Sequence, residues 1–209
     1  MNELTHKRPA TKKDVREFMQ MIKMSPQKYL AIHSRLTKLI ENGADLNTQG
    51  YLGQTLLHVA IKIGDLRLLN MFLDANVNVD LANDFCESPI HKAVIAGKLK
   101  FVEALVEHGC DLHAGCEQDQ TPLHLAVSGG YVDIVKYLVE KGADPLILDE
   151  RNYSPIDYAI DEKDTKILEY FMSCQFIDDE RREKINKFLM KDGGMNVWQH
   201  PRIIKKLYR

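Results

Sequence analysis

Residues 121–126 read Thr-Pro-Leu-His-Leu-Ala, and closely related hexapeptides recur at intervals of 33 residues along the chain. They read Thr-Leu-Leu-His-Val-Ala at 55–60, Ser-Pro-Ile-His-Lys-Ala at 88–93 and Ser-Pro-Ile-Asp-Tyr-Ala at 154–159. A fixed period of this length, kept over four copies, indicates an architecture of stacked structural repeats.

Each position of the hexapeptide favours the start of a helix. The Thr or Ser hydroxyl can accept a hydrogen bond from a backbone N–H that the first helical turn leaves without a partner. Proline fits the next position because it has no N–H to satisfy. The Leu or Ile and the Ala are expected to face a neighbouring helix, and the histidine is well placed to hydrogen-bond across repeats.

A second marker keeps the same period and predicts where each helical pair ends. It reads Gly-Ala-Asp at 43–45 and 142–144, Asn-Val-Asn at 76–78 and Gly-Cys-Asp at 109–111. Glycine after a helical run suits a left-handed C-terminal cap. The segments between the markers space their apolar residues as amphipathic helices do. The predicted unit is therefore helix, tight turn, helix and hairpin-like loop.

This unit resembles the ankyrin repeat, and the resemblance covers roughly residues 30–181. Gly64, Gly97 and Gly130 stand where that family has a glycine between the two helices. The resemblance implies an all-α fold: an ankyrin-repeat solenoid of stacked helix-turn-helix units with hairpin-like loops and helical caps at both ends. Terminal repeats are expected to be atypical because one of their faces meets water.

The period and the resemblance together divide the chain into seven segments. They are a polar basic N-terminal arm (1–13), an N-terminal helical cap or degenerate repeat (14–49), ankyrin repeats 1 to 4 (50–82, 83–115, 116–148 and 149–181) and a C-terminal helical cap with a basic tail (182–209). We expect Asp14 to cap the first helix and Ser25 to cap the second. The tail either folds back as an extra cap or forms a short basic, amphipathic docking element.

Several residues depart from the family pattern. At the loop position where the family has a glycine, only Gly53 keeps it, and the other repeats have Cys86, Asp119 and Asn152. Asparagine and aspartate tolerate left-handed backbone, so Cys86 is the least suitable substitute. In the last repeat Lys163 replaces the glycine between the helices, as is expected of a C-terminal cap.

The overall composition, 44% hydrophobic and 28% charged, is that of an ordinary soluble protein. The net charge of −2 argues against binding to nucleic acid and other polyanions. The four cysteines show no disulfide framework and fit a reducing compartment. No apolar run approaches a membrane span, and no signal-peptide pattern opens the chain. We expect a cytoplasmic monomer without integral membrane contact, or one that reaches a host cytosol by export without a leader.

The charge is distributed unevenly. Residues 1–28 carry seven Lys/Arg against three Asp/Glu, and residues 178–209 carry nine against five. Residues 111–164 carry four Lys/Arg against twelve Asp/Glu. The acidic stretch is either a solvated surface or the docking site of a partner with a basic patch.

In ankyrin proteins, partners bind the loop tips and the concave face made by the first helix of each repeat. Carried over by register, the candidate partner-binding residues are Tyr51, Leu52, Lys62, Ile63, Asp84, Phe85, Glu87, Ile95, Glu117, Gln118, Gln120, Glu150, Arg151 and Tyr153. A loop tip does not require large apolar side chains for its own structure. The large apolar residues in this set are therefore typical of interface anchors. The alternative is that they pack onto neighbouring loops.

The resemblance implies a non-enzymatic interaction module, an adaptor or an inhibitor. Its partner is expected to be a protein or peptide with apolar anchors and a basic patch. Many proteins that microbes deliver into host cells carry ankyrin repeats, so the role of a microbial protein acting in a host cell is consistent with the resemblance.

The alternative is a metal-binding or catalytic protein that uses the His/Cys cluster 108–116 or the non-repeat ends. That cluster offers zinc-type ligands in a spacing that matches no common finger, namely His108, Cys110, His113 and Cys116. The sequence has no phosphate-binding glycine loop, zinc-protease helix or nucleophile elbow. The ends are too short for a separate catalytic domain. We therefore predict no catalytic residue, no bound metal and no cofactor.

Overall fold

A computed structural model describes residues 9–25, 27–174 and 183 of the chain. Over this part the regular structure is helical, with no β-strand. Its helices are α1 (Lys12–Met24), α2 (Tyr29–Glu41), α3 (Leu56–Ile63), α4 (Leu66–Asp74), α5 (Pro89–Ile95), α6 (Leu99–Glu107), α7 (Pro122–Ser128), α8 (Val132–Glu140), α9 (Pro155–Asp161) and α10 (Thr165–Ser173). Apart from Glu183, the predicted C-terminal helical cap and basic tail (182–209) lie outside the described residues, as do the first eight residues of the predicted arm.

The described helices form two compact units, one up to Asp111 and one from Leu112 onward. In the first unit α1 packs on α2, α3 on α4 and α5 on α6, while α3 stacks between α1 and α5. In the second unit α7 packs on α8 and α9 on α10, and α7 stacks on α9. The predicted all-α fold of stacked helix-turn-helix units is confirmed.

The hexapeptides begin helices by the predicted capping chemistry. In α3 the Thr55 hydroxyl accepts from the His58 N–H, and the His58 ring accepts from the Thr55 N–H. The same reciprocal pairing opens α5, α7 and α9. This is a capping box in which histidine, or aspartate in α9, replaces the usual glutamate or glutamine.

The glycines between paired helices adopt the left-handed backbone that ends a helix. The φ angles are 83° at Gly64, 63° at Gly97 and 66° at Gly130. Lys163 takes the same conformation, with φ 59°, although it carries a side chain. Left-handed backbone is uncommon for residues other than glycine, so this position is strained.

A layer of apolar side chains holds each unit together. In the first unit the rings of Phe18 in α1 and Phe72 in α4 meet edge to face, with centroids 6.3 Å apart. The second unit buries Ile134, Ile167 and Phe171 almost completely. In α10 the buried residues Ile167, Leu168, Phe171 and Met172 follow helical spacing, so the apolar face that this spacing predicts is the face that packs.

Two predicted helix starts were wrong. Thr11, not Asp14, is the N-cap of α1, and the Asp14 carboxylate accepts from the Thr11 N–H at 2.7 Å as the third residue of a capping box. Ser25 ends α1 instead of starting α2, because its N–H donates to the Met21 carbonyl at 3.0 Å. Helix α2 begins after Lys28.

Candidate partner-binding surface

The four loops that precede α3, α5, α7 and α9 close in the same way. The N–H of the first loop residue donates to the carbonyl oxygen four residues later, at 2.8–2.9 Å. The bonded pairs are Gly50–Gln54, Asn83–Glu87, Cys116–Gln120 and Asp149–Tyr153. This bond holds the three residues at each loop tip in a defined turn.

The first residue of the loop decides the geometry of two of these turns. Asn83 Oδ1 accepts from the Phe85 N–H at 2.9 Å and from the Glu87 N–H at 3.0 Å. Asp149 Oδ1 accepts from the Arg151 and Tyr153 N–H groups in the same pattern, at 2.8 and 2.9 Å. Short polar side chains form such turns because they can reach their own downstream backbone.

The other two loops begin at Gly50 and Cys116, and their turns carry two successive left-handed residues. The φ angles are 57° at Leu52 and 66° at Gly53 in one loop, and 61° at Gln118 and 55° at Asp119 in the other. The loops that begin at Asn83 and Asp149 have one such residue each, at 86 and 152. The left-handed conformation expected at the family's glycine position is thus present in every loop.

Two of the hexapeptide histidines each tie a loop to the first helix of the preceding repeat. His58 Nε2 lies 2.9 Å from the carbonyl of Glu87, and His124 Nε2 lies 3.0 Å from that of Tyr153. A ring nitrogen on a carbonyl oxygen must carry the proton, so the other nitrogen accepts from the threonine cap. Burial lowers the pKa of both rings and outweighs the opposing effect of the carbonyl bonds. The predicted hydrogen bonds across repeats are therefore made by neutral histidines.

Neighbouring loop tips are also joined directly. The Asp84 N–H donates to the Leu52 carbonyl at 3.3 Å in the first unit. The Glu150 N–H donates to the Gln118 carbonyl at 3.0 Å in the second. Each unit therefore presents its two tips side by side as one edge.

The tips of the first unit expose large apolar side chains. Tyr51 is 75% exposed and Phe85 is 55% exposed, and Leu52 is exposed as well. On the adjoining helices Ile95 and Lys62 are exposed and Ile63 is half-buried, while Asp84 is exposed at the tip. We call Tyr51, Leu52, Asp84 and Phe85 the tip surface of the first unit.

The tips of the second unit are acidic. Glu117, Gln118, Asp119 and Glu150 are exposed on the tips, and Asp161 and Glu162 are exposed at the C-terminal end of α9. The basic residue Arg151 donates from Nε to Asp149 Oδ2 at 3.4 Å and also hydrogen-bonds the Tyr158 hydroxyl. We call Glu117, Gln118, Glu150 and Arg151 the tip surface of the second unit.

Asp149 is buried and forms hydrogen bonds with both Arg151 and Tyr158. The Tyr158 hydroxyl donates to its Oδ2 at 2.7 Å, and its side chain is fully buried. Burial alone would raise the pKa of this carboxyl, but its hydrogen bonds and Arg151 outweigh burial and lower the pKa. The ionised Asp149 therefore offsets the charge of Arg151, and the exposed carboxylates keep this surface acidic.

Three other candidate residues make contacts within the fold. The Glu87 carboxylate accepts from Asn83 Nδ2 at 2.9 Å and pairs with Lys92 at 3.0 Å. Gln120 Nε2 donates to the Tyr158 hydroxyl at 2.6 Å. Tyr153 is 42% exposed, and its ring meets that of Tyr158 edge to face. These residues brace the loops as well as facing solvent.

A pocket that the sequence did not predict lies between α1 and the first loop. This α1 pocket has a volume of about 420 Å³ and mainly apolar walls, and it is lined by Lys13, Arg16, Glu17, Met19, Gln20, Lys23, Gly50 and Tyr51. The sequence signal that points to this pocket is the basic excess of residues 1–28.

The described residues contain no group of three or more His, Cys, Asp or Glu side chains that could hold a metal ion. His108 Nδ1 instead lies 2.8 Å from the Ala104 carbonyl of its own helix. Burial and the nearby Asp80 and Asp111 raise the pKa of the Cys110 thiol to about 12. A thiol binds metal after it loses its proton, so this environment disfavours Cys110 as a ligand.

Within the part of the chain that the structure describes, every helix is too short or too polar to cross a bilayer.

Comparison with known proteins yields two family models and one curated relative. The model "Ankyrin repeats (3 copies)" matches residues 29–116, and "Ankyrin repeats (many copies)" matches residues 105–159. The chain is also similar to "Ankyrin repeat domain-containing protein 37" of Homo sapiens, with 41% identity over 44 residues. That match covers 21% of this chain and 28% of the relative, so the similarity spans less than a third of either protein.

Proposed function

This chain belongs to the ankyrin repeat family, and from that premise we propose that it is a protein–protein interaction module that binds a partner on its loop tips. The bound element is a protein or peptide with apolar anchor side chains and a basic patch. Its role is that of a non-enzymatic adaptor or inhibitor. The apolar anchors bind the tip surface of the first unit, and the basic patch binds that of the second.

The exposure of Tyr51 and Phe85 carries this proposal. Aromatic side chains supply much of the binding energy in protein interfaces. Here they stand on turns whose backbone groups are bonded within the loop and to the neighbouring loop. A tip that is already ordered loses little conformational entropy when it binds, and this favours affinity.

The carboxylates of the second unit support a basic partner. Glu117 and Glu150 are exposed on neighbouring tips, and Arg151 is balanced by Asp149. Exposed charges of one sign steer an oppositely charged partner and make its association rate depend on salt.

We also propose that the protein acts in a reducing compartment such as the cytosol. All four cysteines are present as thiols, and Cys110 and Cys116 are buried in the helical units. Thiols persist where the environment keeps them reduced.

The apolar part of the proposal is tested by capturing partners from cytosol with the wild-type chain and with Tyr51→Ala/Phe85→Ala. We expect the double variant to lose at least about tenfold in affinity for the captured partner, because anchors of this kind contribute more than about 1 kcal/mol each. Its thermal unfolding should match that of the wild type.

The matched control is Met24→Ala/Leu30→Ala, which removes two exposed apolar side chains away from the tips. This control should bind as the wild type does. Equal binding by both double variants would refute the proposal. A large loss of stability in the tip variant would show that Tyr51 and Phe85 belong to the core and would also refute it.

The acidic part is tested with Glu117→Lys/Glu150→Lys. We expect this variant to bind the partner more weakly and to lose much of the salt dependence of association. Glu140→Lys/Glu169→Lys makes the same change in net charge on exposed positions of α8 and α10. If both charge variants bind alike, the partner does not contact the acidic tips.

A further inference from the structure

The α1 pocket combines a recessed apolar floor with a basic rim. Its volume of about 420 Å³ lies in the range of roughly 300–1,000 Å³ that is usual for ligand sites in proteins. All of its lining residues belong to the first unit.

The floor forms where the first loop lies against α1. Met19 is 2% exposed, and a Cβ built on Gly50 would lie 2.9 Å from its sulfur. The absence of a side chain at Gly50 therefore allows the loop to approach Met19 closely. The Tyr51 ring stands at the edge of the pocket and is mostly exposed.

The rim is a stripe of cations on α1. Lys13, Arg16 and Lys23 line the same pocket and follow helical spacing, with Gln20 between the last two. Arg16 Nε donates to the Gln49 carbonyl at 3.1 Å, so its guanidinium is anchored at the rim. This bond uses one of the five N–H groups of the guanidinium.

One carboxylate, Glu17, lies among these three cations. It pairs with Lys13 at 3.9 Å, and both side chains are largely exposed. Such an exposed pair is weak. The rim therefore keeps a net positive charge beside an apolar floor.

We infer that the α1 pocket binds a segment of the partner that carries one large apolar side chain flanked by carboxylates. The apolar side chain packs above the buried Met19, against the Tyr51 ring and the methylene stems of the cationic side chains, and the flanking carboxylates meet Lys13, Arg16 and Lys23. This inference rests on the proposed function and names a second element of the partner, distinct in charge from the element that binds the acidic tips.

The shape of the site favours a peptide over a lipid surface. Tyr51 protrudes at the edge of the pocket, but Met19, the other apolar residue of the lining, is buried and cannot insert into a bilayer. A recess takes a side chain that projects from an extended chain or a helix. The rim then selects the residues on either side of that side chain by their charge.

The test is a titration of the full-length chain, uniformly labelled with ¹⁵N, with three short synthetic peptides. One has a central leucine flanked by glutamates, the second has the same leucine flanked by lysines, and the third replaces the leucine of the first by serine. We expect the glutamate peptide to bind roughly tenfold more tightly than either of the others, because it matches both floor and rim. Amide shifts should concentrate at residues 13–23 and 49–53.

The variant Lys13→Glu/Lys23→Glu should abolish the preference for the glutamate peptide. The control Lys136→Glu/Lys166→Glu makes the same change in net charge in the second unit and should keep the preference. Equal affinity for the two leucine peptides, shifts centred elsewhere, or absence of binding would overturn the inference. Tighter binding to phosphatidylserine vesicles than to the glutamate peptide would overturn it as well.

These outcomes are separate from those that test the proposed function. If partner capture requires Tyr51 and Phe85 but is unchanged in Lys13→Glu/Lys23→Glu, the interaction module stands and the inference about the α1 pocket fails. If neither Tyr51→Ala/Phe85→Ala nor Lys13→Glu/Lys23→Glu changes partner capture, the proposed function itself is refuted.

Discussion

His58 Nε2 and the Glu87 carbonyl oxygen are 29 residues apart in the sequence and 2.9 Å apart in the structure. The same ring accepts from the Thr55 N–H through Nδ1, at 3.2 Å. One side chain therefore caps the start of α3 and anchors the loop of the next repeat. His124 makes the equivalent pair of bonds with Thr121 and Tyr153.

Replacing this ring should cost considerable stability. We expect His58→Ala to lower the free energy of unfolding by roughly 2–3 kcal/mol, because it leaves a buried N–H and a part-buried carbonyl without their partners. His33→Ala removes an exposed histidine from α2 and should change stability by less than about 0.5 kcal/mol. Urea unfolding followed by circular dichroism measures both. Similar losses in the two variants would contradict the bridging role of His58.

The same rings make stability depend on pH. The pKa values of His58 and His124 are below the ordinary 6.5 in the folded chain, so the unfolded chain binds protons first as the pH falls. Their contribution is therefore complete above pH 6.5 and is lost as the pH drops below it, toward the lower folded pKa values. We expect the free energy of unfolding to decrease from about pH 7 to about pH 5, where most carboxylates are still ionised.

The double variant His58→Gln/His124→Gln provides the comparison for this pH effect. Glutamine can still accept from the cap N–H, but it does not titrate. The variant should be less stable at neutral pH and should show a flatter dependence between about pH 7 and pH 5. Parallel curves for the variant and the wild type would exclude these two histidines as the cause.

Left-handed backbone at Cys86 predicts a stabilising substitution. Its φ of 58° costs a side-chain-bearing residue about 1–2 kcal/mol, and glycine avoids this cost but loses about 0.5–1 kcal/mol in chain entropy. We expect Cys86→Gly to raise the free energy of unfolding by roughly 0.5–1 kcal/mol. Cys86→Val should lower it, since a β-branched residue fits this conformation poorly.

Gly53 gives the opposite test at the equivalent position. Its φ is 66°, and an added Cβ would lie 2.6 Å from the Asp84 nitrogen and close to its Oδ1. Gly53→Ala should therefore destabilise the chain by more than Cys86→Gly stabilises it. Thermal unfolding measures both variants, and an unchanged stability of Gly53→Ala would contradict this prediction.

The side chain of Asn83 should control the position of Phe85. Asn83→Ala removes the acceptor of the Phe85 and Glu87 N–H groups, and we expect a loss of roughly 1–3 kcal/mol. Amide exchange at Phe85 should become faster, and partner binding should weaken with it. Asn70→Ala, on an exposed position of α4, should leave all three measurements unchanged. If amide exchange at Phe85 is unchanged in Asn83→Ala, the backbone bond from the Asn83 N–H to the Glu87 carbonyl is sufficient to hold the loop, and the prediction is wrong.

The helix starts and the left-handed turns of this fold could be predicted from residues a few positions apart in the sequence. The helix starts at Thr55 and Thr121 and the left-handed backbone at Gly64 follow from side chains and backbone within one turn. Their preferences act over short separations and are the same in any tertiary context. The wrong helix starts at Asp14 and Ser25 lie in the N-terminal segment, where the repeat pattern offered no register.

The contacts between distant residues required the tertiary structure. The period predicted that His58 reaches another repeat, but the atom it meets and the rigidity of the loop depend on how the helical pairs stack. Register predicts Arg151 as a partner-binding residue, whereas only the fold shows that Asp149 and Tyr158 hold its side chain. The α1 pocket exists because Gly50, 31 positions after Met19, lies against it. Such approaches are decided by packing between helices, which no short stretch of sequence encodes alone.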